Sequence, residues 1–213
     1  MKVLLINGSP HEKGCTYTAL SLIAGELNAA GLETEILNVG TKPVGGCIGC
    51  GGCRSGNGCV FGGVVNEAIE KAKTADAFVF GSPVHYASAA GNMASFMDRL
   101  AYAGGKYLAY KPAAVCCSAR RAGTTSTLDQ LVKYPQFFHM PLVNGSYWAM
   151  VHGSNPEQVL QDAEGCAVMQ ELGRNMAWLL HCIEAGKAAG IDHPQNPPRP
   201  MTSFCLLYTS PSP

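Results

Sequence analysis

Two rhythms of apolar residues alternate along the chain. Val3–Ile6, Ala77–Gly81 and Pro112–Ser118 are short and almost wholly apolar. That is the signature of strands covered on both faces in a parallel sheet. Leu32–Val39 alternates apolar with polar, as an outer strand does, and Met140–Ser146 reads as the last strand. Helical periodicity fills the gaps. Residues 15–30 carry Leu20, Ile23, Ala24 and Leu27 at i, i+3, i+4, i+7, with Gly31 as cap. Further helices are expected over 64–74, 91–102, 126–134 and 156–189, the last with Pro156 in its first turn and Gly190 beyond its end. Strand alternating with helix predicts an α/β fold: a three-layer, doubly wound, five-stranded parallel sheet of order 2-1-3-4-5.

In such a sheet, ligands bind beyond the carboxyl ends of the strands. Three of those ends carry unusual chemistry: Ser9–Thr16, Pro83–Ser88 and Ser118–Thr124. The first follows a buried strand and a turn at Asn7-Gly8, then opens a helix at Cys15-Thr16. The first amides of a helix lack intrahelical partners and its dipole is positive there, so a phosphate would satisfy both deficits. Five residues lie between Gly8 and Gly14, where a Walker A loop has four, and no Lys-Ser/Thr follows, which excludes a Walker A loop. Pro10 after Ser9 excludes the dinucleotide fingerprint G-x-G-x-x-G. Ser9, Thr16 and Thr18 with free amides suit one terminal phosphate. The plainer alternative is a βα turn whose hydroxyls only cap the helix.

Composition narrows the class. At 213 residues, one domain is expected. Lys+Arg and Asp+Glu are 15 each, so the basic excess of a nucleic-acid surface is missing. Nothing reads as a signal peptide or reaches membrane-spanning length, which predicts a cytoplasmic protein. Ten cysteines in a reducing compartment are then metal ligands, redox groups or core residues rather than a disulfide framework.

With these residues in view, Gly8-Ser9-Pro10, Gly14-Cys15-Thr16, Ser82-Pro83-Val84-His85-Tyr86 and Phe96-Met97-Asp98-Arg99 resemble the flavodoxin-like NAD(P)H-dependent FMN reductases. The similarity is to the multimeric flavodoxin and iron–sulfur flavoprotein branch, over about residues 1–190. The resemblance implies FMN, with its phosphate on Ser9, Pro10, His11, Gly14, Cys15 and Thr16. It implies an isoalloxazine against Pro83, Val84, His85, Tyr86, Ala87 and Ser88, bordered by Ser118, Arg120, Gly123 and Thr124. It also implies NAD(P)H as co-substrate, and homodimers or homotetramers. For His85 and Tyr86 singly, loop packing stands beside ring contact. Arg120-Arg121 would hold the flavin pyrimidine or a nucleotide phosphate, or would be a solvated pair. Phe96, Met97 and Leu100 read as helix core, and Asp98-Arg99 as a structural pair.

Cys47-x2-Cys50-x2-Cys53-x5-Cys59, with Gly49, Gly51 and Gly52 between, can wrap one compact inorganic centre. The last gap is longer than in a ferredoxin run, and a structural zinc site places its two pairs further apart. The spacing resembles the motif of iron–sulfur flavoproteins, which implies a [4Fe–4S] cluster. The glycines would let amides approach the sulfurs and tune the potential. A disulfide-switching or empty loop is the alternative. Cys116, Cys117, Cys166 and Cys182 read as buried apolar residues.

The expected organisation is a 1–190 FMN domain with a Cys-rich loop at 45–63, then an extended tail at 191–213 whose last nine residues, 205–213, read as artefact. The expected chemistry is hydride transfer from NAD(P)H to FMN and onward to a quinone, another small acceptor or a redox protein. The flavin carries the chemistry, so no catalytic dyad is expected. A non-catalytic flavodoxin-type carrier and a one-electron iron–sulfur flavoprotein are the alternatives.

Overall fold

The apolar runs become strands because alternate side chains leave a strand on opposite faces, and here both faces are greasy. In a computed structural model of the chain, which describes residues 1–198, Pro200 and Thr202, β1 spans Lys2–Asn7. Its Val3 and Leu5 enter one core, and Leu4 and Ile6 the other. Strand β2 (Glu33–Asn38) lies at the sheet edge, with fewer buried positions. The remaining strands are β3 (Ala77–His85), β4 (Ser88–Ala89), β5 (Ala113–Ala119) and β6 (Met150–His152). The parallel order is β2-β1-β3-β5-β6, the predicted 2-1-3-4-5 arrangement once the two-residue β4 is set aside.

Helix α1 (Cys15–Ala29) packs with α6 (Ala163–Ala188) on one face, sharing a core with Val3, Leu5, Val79 and Cys116. Helices α2 (Val64–Thr74) and α3 (Gly91–Gly104) cover the other face, over Leu4, Ile6, Phe78 and Phe80. Phe96, Met97 and Leu100 are buried along α3 as expected, and so is Met93. Helix α4 (Thr124–Phe137) begins two residues earlier than expected and carries Pro135 in its last turn.

Three expectations are corrected. The last parallel strand is β6, not Met140–Ser146. That segment makes one bridge, Leu142 to Ala113, and then leaves the sheet. Pro141 has no N–H to donate, and Asn144-Gly145-Ser146 is turn chemistry, so the ladder resumes only at Ala149, whose carbonyl accepts from the Cys117 amide. The long C-terminal helix is two helices, α5 (Pro156–Val159) and α6. Asp162 breaks them by capping α6 through the Gly165 amide at 2.9 Å, while also accepting from the His152 amide at 2.7 Å. Finally, the strand expected over Ala77–Gly81 runs on to His85, and the strand-end loop Pro83–Ser88 folds as a hairpin, with Val84 opposite Ala89 and His85 opposite Ser88.

From 191 the described residues form no helix or strand, and His193 stacks on Tyr110 at 4.3 Å. The 205–213 segment lies outside the described residues. No helix among the described residues is long and apolar enough to cross a membrane.

Candidate functional site

Of the eight buried polar or charged residues among those described, Asn7, Ser9, Thr16, Ser82, Ser118, Thr124 and Thr127 all lie at the carboxyl end of the sheet. A parallel sheet has no structural need for hydroxyls there, and each must find a partner once buried. Thr16 and Ser118 pair across two of the loops, and most of the others bond within their own loop.

The first loop is shaped by Asn7. Its Oδ1 accepts from the Ser9 amide at 3.1 Å, and its Nδ2 donates to Glu12 O at 3.2 Å and Asn38 Oδ1 at 2.8 Å. Ser9 Oγ in turn accepts from the His11 amide at 3.1 Å. Helix α1 then starts at Gly14 without a side-chain cap. The capping alternative is therefore overturned: the Thr18 hydroxyl donates back to Gly14 O at 3.2 Å, and the Thr16 hydroxyl is turned to Ser118. The amides of Cys15, Thr16 and Tyr17 have no acceptor among the described residues, so three donors converge at the positive end of the helix dipole. Burial pushes the Cys15 thiol up, and its Sγ–H donates to Gly153 O at 3.5 Å. Pro10 and His11 stand exposed beside this loop.

Thr16 Oγ1 and Ser118 Oγ are 2.8 Å apart and both buried, which fixes the first loop to the third. The third loop touches the hairpin at Gly123. Gly123 has φ +88, and a Cβ there would stand 2.6 Å from Ala87 Cα. Ser126 Oγ also donates to Ala87 O at 2.7 Å. Ser88 Oγ and the Ala89 amide both donate to Gln130 Oε1, at 2.7 and 2.9 Å. The hairpin tip is Tyr86-Ala87, with φ 51 and 57. A two-residue turn with both φ positive normally takes Asn-Gly. Here a fully exposed tyrosine occupies it, a strain that packing on α4 sustains. His85 is exposed as well, while Pro83 and Val84 are half-buried. Thr124 is buried at the start of α4; Arg120 and Arg121 are exposed, with no ion pair among the described residues.

The cysteine loop is held separately, by α3. Cys47, Cys50, Cys53 and Cys59 all line one cavity of about 340 Å³, closed by Phe61, Arg99 and Tyr102. Gly49 and Gly51, at φ +66 and +71, allow the backbone to coil around it. Among the described residues no three His, Cys, Asp or Glu side chains form a single-ion site. Four thiols on one cavity form a soft, sulfur-rich donor set, the kind that thiophilic metals take. Asn92 grips the loop's start, its Nδ2 donating to Gly40 O and Lys42 O at 3.0 Å and its Oδ1 accepting from the Val44 amide at 3.1 Å. Arg99, one heptad later on the same helix face, donates to Cys59 Sγ at 3.2 Å, Gly45 O at 3.3 Å and Gly62 O at 2.9 Å. Asn66 closes Cys59 from behind, accepting from its amide at 2.8 Å and donating to its carbonyl at 3.0 Å.

The expected Asp98-Arg99 pair does not form. Asp98 accepts from the Tyr134 hydroxyl at 2.7 Å, because successive helix residues point about 100° apart. Cys116 and Cys117 are buried as read; Cys166 is only half-buried and Cys182 is exposed. Sequence reasoning missed Asn7, Ser82, Arg99, Asn92 and Asn66. The i, i+7 spacing of Asn92 and Arg99 beside an apolar stripe was a usable signal, and so was Asn7 before Gly8 as an Asx turn. Ser82 carried no signal; its Oγ accepts from the Ala90 amide at 3.0 Å and donates to Pro83 O at 2.9 Å.

Known proteins resemble this chain. An iron–sulfur flavoprotein of Methanocaldococcus jannaschii is 28% identical over 192 residues, 86% of this chain and 100% of that one. An iron–sulfur flavoprotein of Methanosarcina thermophila is 24% identical over 196 residues, 88% and 99% of the two chains. The crystal structure of RosB with a bound 8-demethyl-8-formylriboflavin-5'-phosphate intermediate superposes with TM-score 0.67 at 14% identity, covering 96% of this chain and 95% of that one, which speaks to the fold alone. The sequence model of the NADPH-dependent FMN reductases matches residues 1–155. A match over most of the chain, on a sheet of the expected order, places it in the NADPH-dependent FMN reductase family of flavin-dependent oxidoreductases.

Proposed function

We propose that this chain binds FMN on its three interlocked loops, takes hydride from NADH or NADPH, and passes electrons on to a quinone, another small acceptor or a redox protein. The observation that carries the reading is the set of three unpartnered amides at Cys15–Tyr17 beside buried Ser9 and Thr16. It is a cradle of donors with no lysine after its second glycine, matched to a monophosphate. Pro10, His11 and Gly14 complete the phosphate loop. The hairpin Pro83–Ser88 flanks the flavin ring, with Ser118, Arg120, Gly123 and Thr124 on the other side. Flavin supplies the hydride and electron chemistry when bound; these residues bind, orient and partly shield it.

Residues 1–190 act as one domain in this reading. Homodimers or homotetramers belong to it too, supported by exposed Tyr147, Trp148 and Trp178. Size-exclusion chromatography with light scattering measures that assembly.

A second reading is favoured by a specific observation: four thiols on one cavity. Cys47, Cys50, Cys53 and Cys59 hold a [4Fe–4S] cluster, giving the protein a one-electron outlet. The iron–sulfur flavoproteins it resembles carry such a name.

The purified protein should be yellow, and NADH or NADPH should bleach the flavin under anaerobic conditions. Flavin that binds but is reduced by neither nucleotide would identify a carrier instead. Protein that takes up no FMN would refute the scheme. Iron and sulfide analysis after anaerobic reconstitution tests the metal centre.

A further inference from the structure

We propose that Arg99 is the positioning residue of the cysteine centre: it orders the loop, orients Cys59 and raises the reduction potential of the cluster bound there. The inference rests on the metal-centre reading above.

Arg99 is 6% exposed, so its guanidinium is a buried cation. Buried cations are ordinarily matched by a carboxylate. No ion pair to Arg99 exists among the described residues, and the neighbouring carboxylate of Asp98 is engaged with Tyr134. Its three acceptors are two backbone carbonyls and one sulfur, Cys59 Sγ. The Phe61 ring, 5.6 Å from the guanidinium carbon, closes the remaining side. Only the sulfur can carry a full negative charge, so the charge balance of this buried site is completed by an anion at Cys59. A thiolate-ligated cluster is such an anion.

Geometry makes Cys59 unlike the other three thiols. Asn66 fixes its backbone on both sides and Arg99 fixes its sulfur, whereas Cys47 and Cys50 are exposed. The same guanidinium fork ties Gly45 to Gly62, drawing together the two ends of the cysteine loop. Reduction adds one electron, taken from an external reductant, and so one negative charge to the centre. A fixed N–H donor and cation at 3.2 Å favour the more negative state, which raises the potential.

The test uses the full chain, reconstituted with iron and sulfide, in wild-type, R99M, R99K and N66A forms. Each is titrated with dithionite against mediators, with the reduced cluster read by electron paramagnetic resonance. At the wild-type midpoint, R99M should show a reduced-to-oxidised ratio about tenfold lower, a drop of about 59 mV for one electron. R99K should fall between. N66A frees only the Cys59 backbone, so it should lose iron faster to a chelator while keeping the wild-type midpoint. Full iron in R99M at an unshifted midpoint overturns the proposal. Should R99M take up no iron, R99K decides. It keeps charge but not the fork, so a lowered midpoint supports the proposal and an unshifted one overturns it. Wild-type protein that holds no iron would overturn the metal-centre reading itself, a different result from intact clusters of equal potential. In the metal-free chain, trypsin cleavage at exposed Arg54 should quicken several-fold in R99M, and an unchanged rate would overturn the ordering role.

Discussion

Gly123→Ala tests whether the hairpin and the third loop are truly interlocked. Gly123 sits at φ +88, where a residue with Cβ is held at a cost of about 1–2 kcal/mol. The added methyl would also stand 2.6 Å from Ala87 Cα, 2.9 Å from Ala87 Cβ and 3.0 Å from Val84 Cγ1. The closest of these atoms is backbone, and Ala87 is itself held at φ 57, so the hairpin must move as a unit. Overpacking of this kind costs about 1–3 kcal/mol. Together the two effects amount to about 2–5 kcal/mol. At about 2–4 °C per kcal/mol for a chain of this size, Tm should fall by roughly 10 °C. Urea unfolding of the flavin-free protein, followed by circular dichroism, isolates that stability term. Fluorescence titration with FMN then reads the site. Displacing Val84–Ser88 should weaken FMN binding at least tenfold, which corresponds to about 1.4 kcal/mol. A variant with wild-type urea midpoint and wild-type FMN affinity would refute the interlock.

Thr16→Val leaves the buried Ser118 hydroxyl unmatched and should cost about 1–3 kcal/mol, whereas the double variant with Ser118→Ala should cost less than the sum of the singles in a urea double-mutant cycle. Lys2 and Lys71 hold the Glu35 carboxyl below its usual 4.5, so its contribution is fully present above that value and is lost as pH falls through the lowered folded one. Glu35→Gln should therefore lower stability at neutral pH and flatten the acid limb below about 4.5, as read by thermal melts across pH. Burial pushes the Cys117 thiol up to about 12 and Cys116 higher still, so iodoacetamide at pH 8 should label Cys47, Cys50 and Cys182 in the metal-free protein and leave these two untouched until it unfolds, as peptide mass spectrometry would show.

The loops were legible because their grammar is local. An apolar run followed by Asn-Gly-Ser-Pro dictates strand, turn and helix start within a dozen residues. The cysteine spacing was legible for the same reason, since four thiols within 13 positions can reach a common point however the rest folds. Met140–Ser146 misled because its apolar run has strand composition, while Pro141 and the Asn-Gly-Ser turn decide against the ladder. The break before Ala163 rests on a local cap, Asp162 to the Gly165 amide, which the apolar periodicity of 156–189 masked, while the His152 amide on the other oxygen is a tertiary partner.

The sequence by itself determined the strand–helix alternation, the Ser9–Thr16 turn into a helix and the thiol set, since each depends on spacing along a few turns of backbone. Tertiary structure alone decided how they are joined. Thr16 meets Ser118 across 102 positions, and Arg99 meets Cys59 across 40. Such pairings form because a parallel sheet brings distant strand ends to one edge and lays a helix over a distant loop. Burial then requires each hydroxyl or cation at those places to find a partner that no local pattern names.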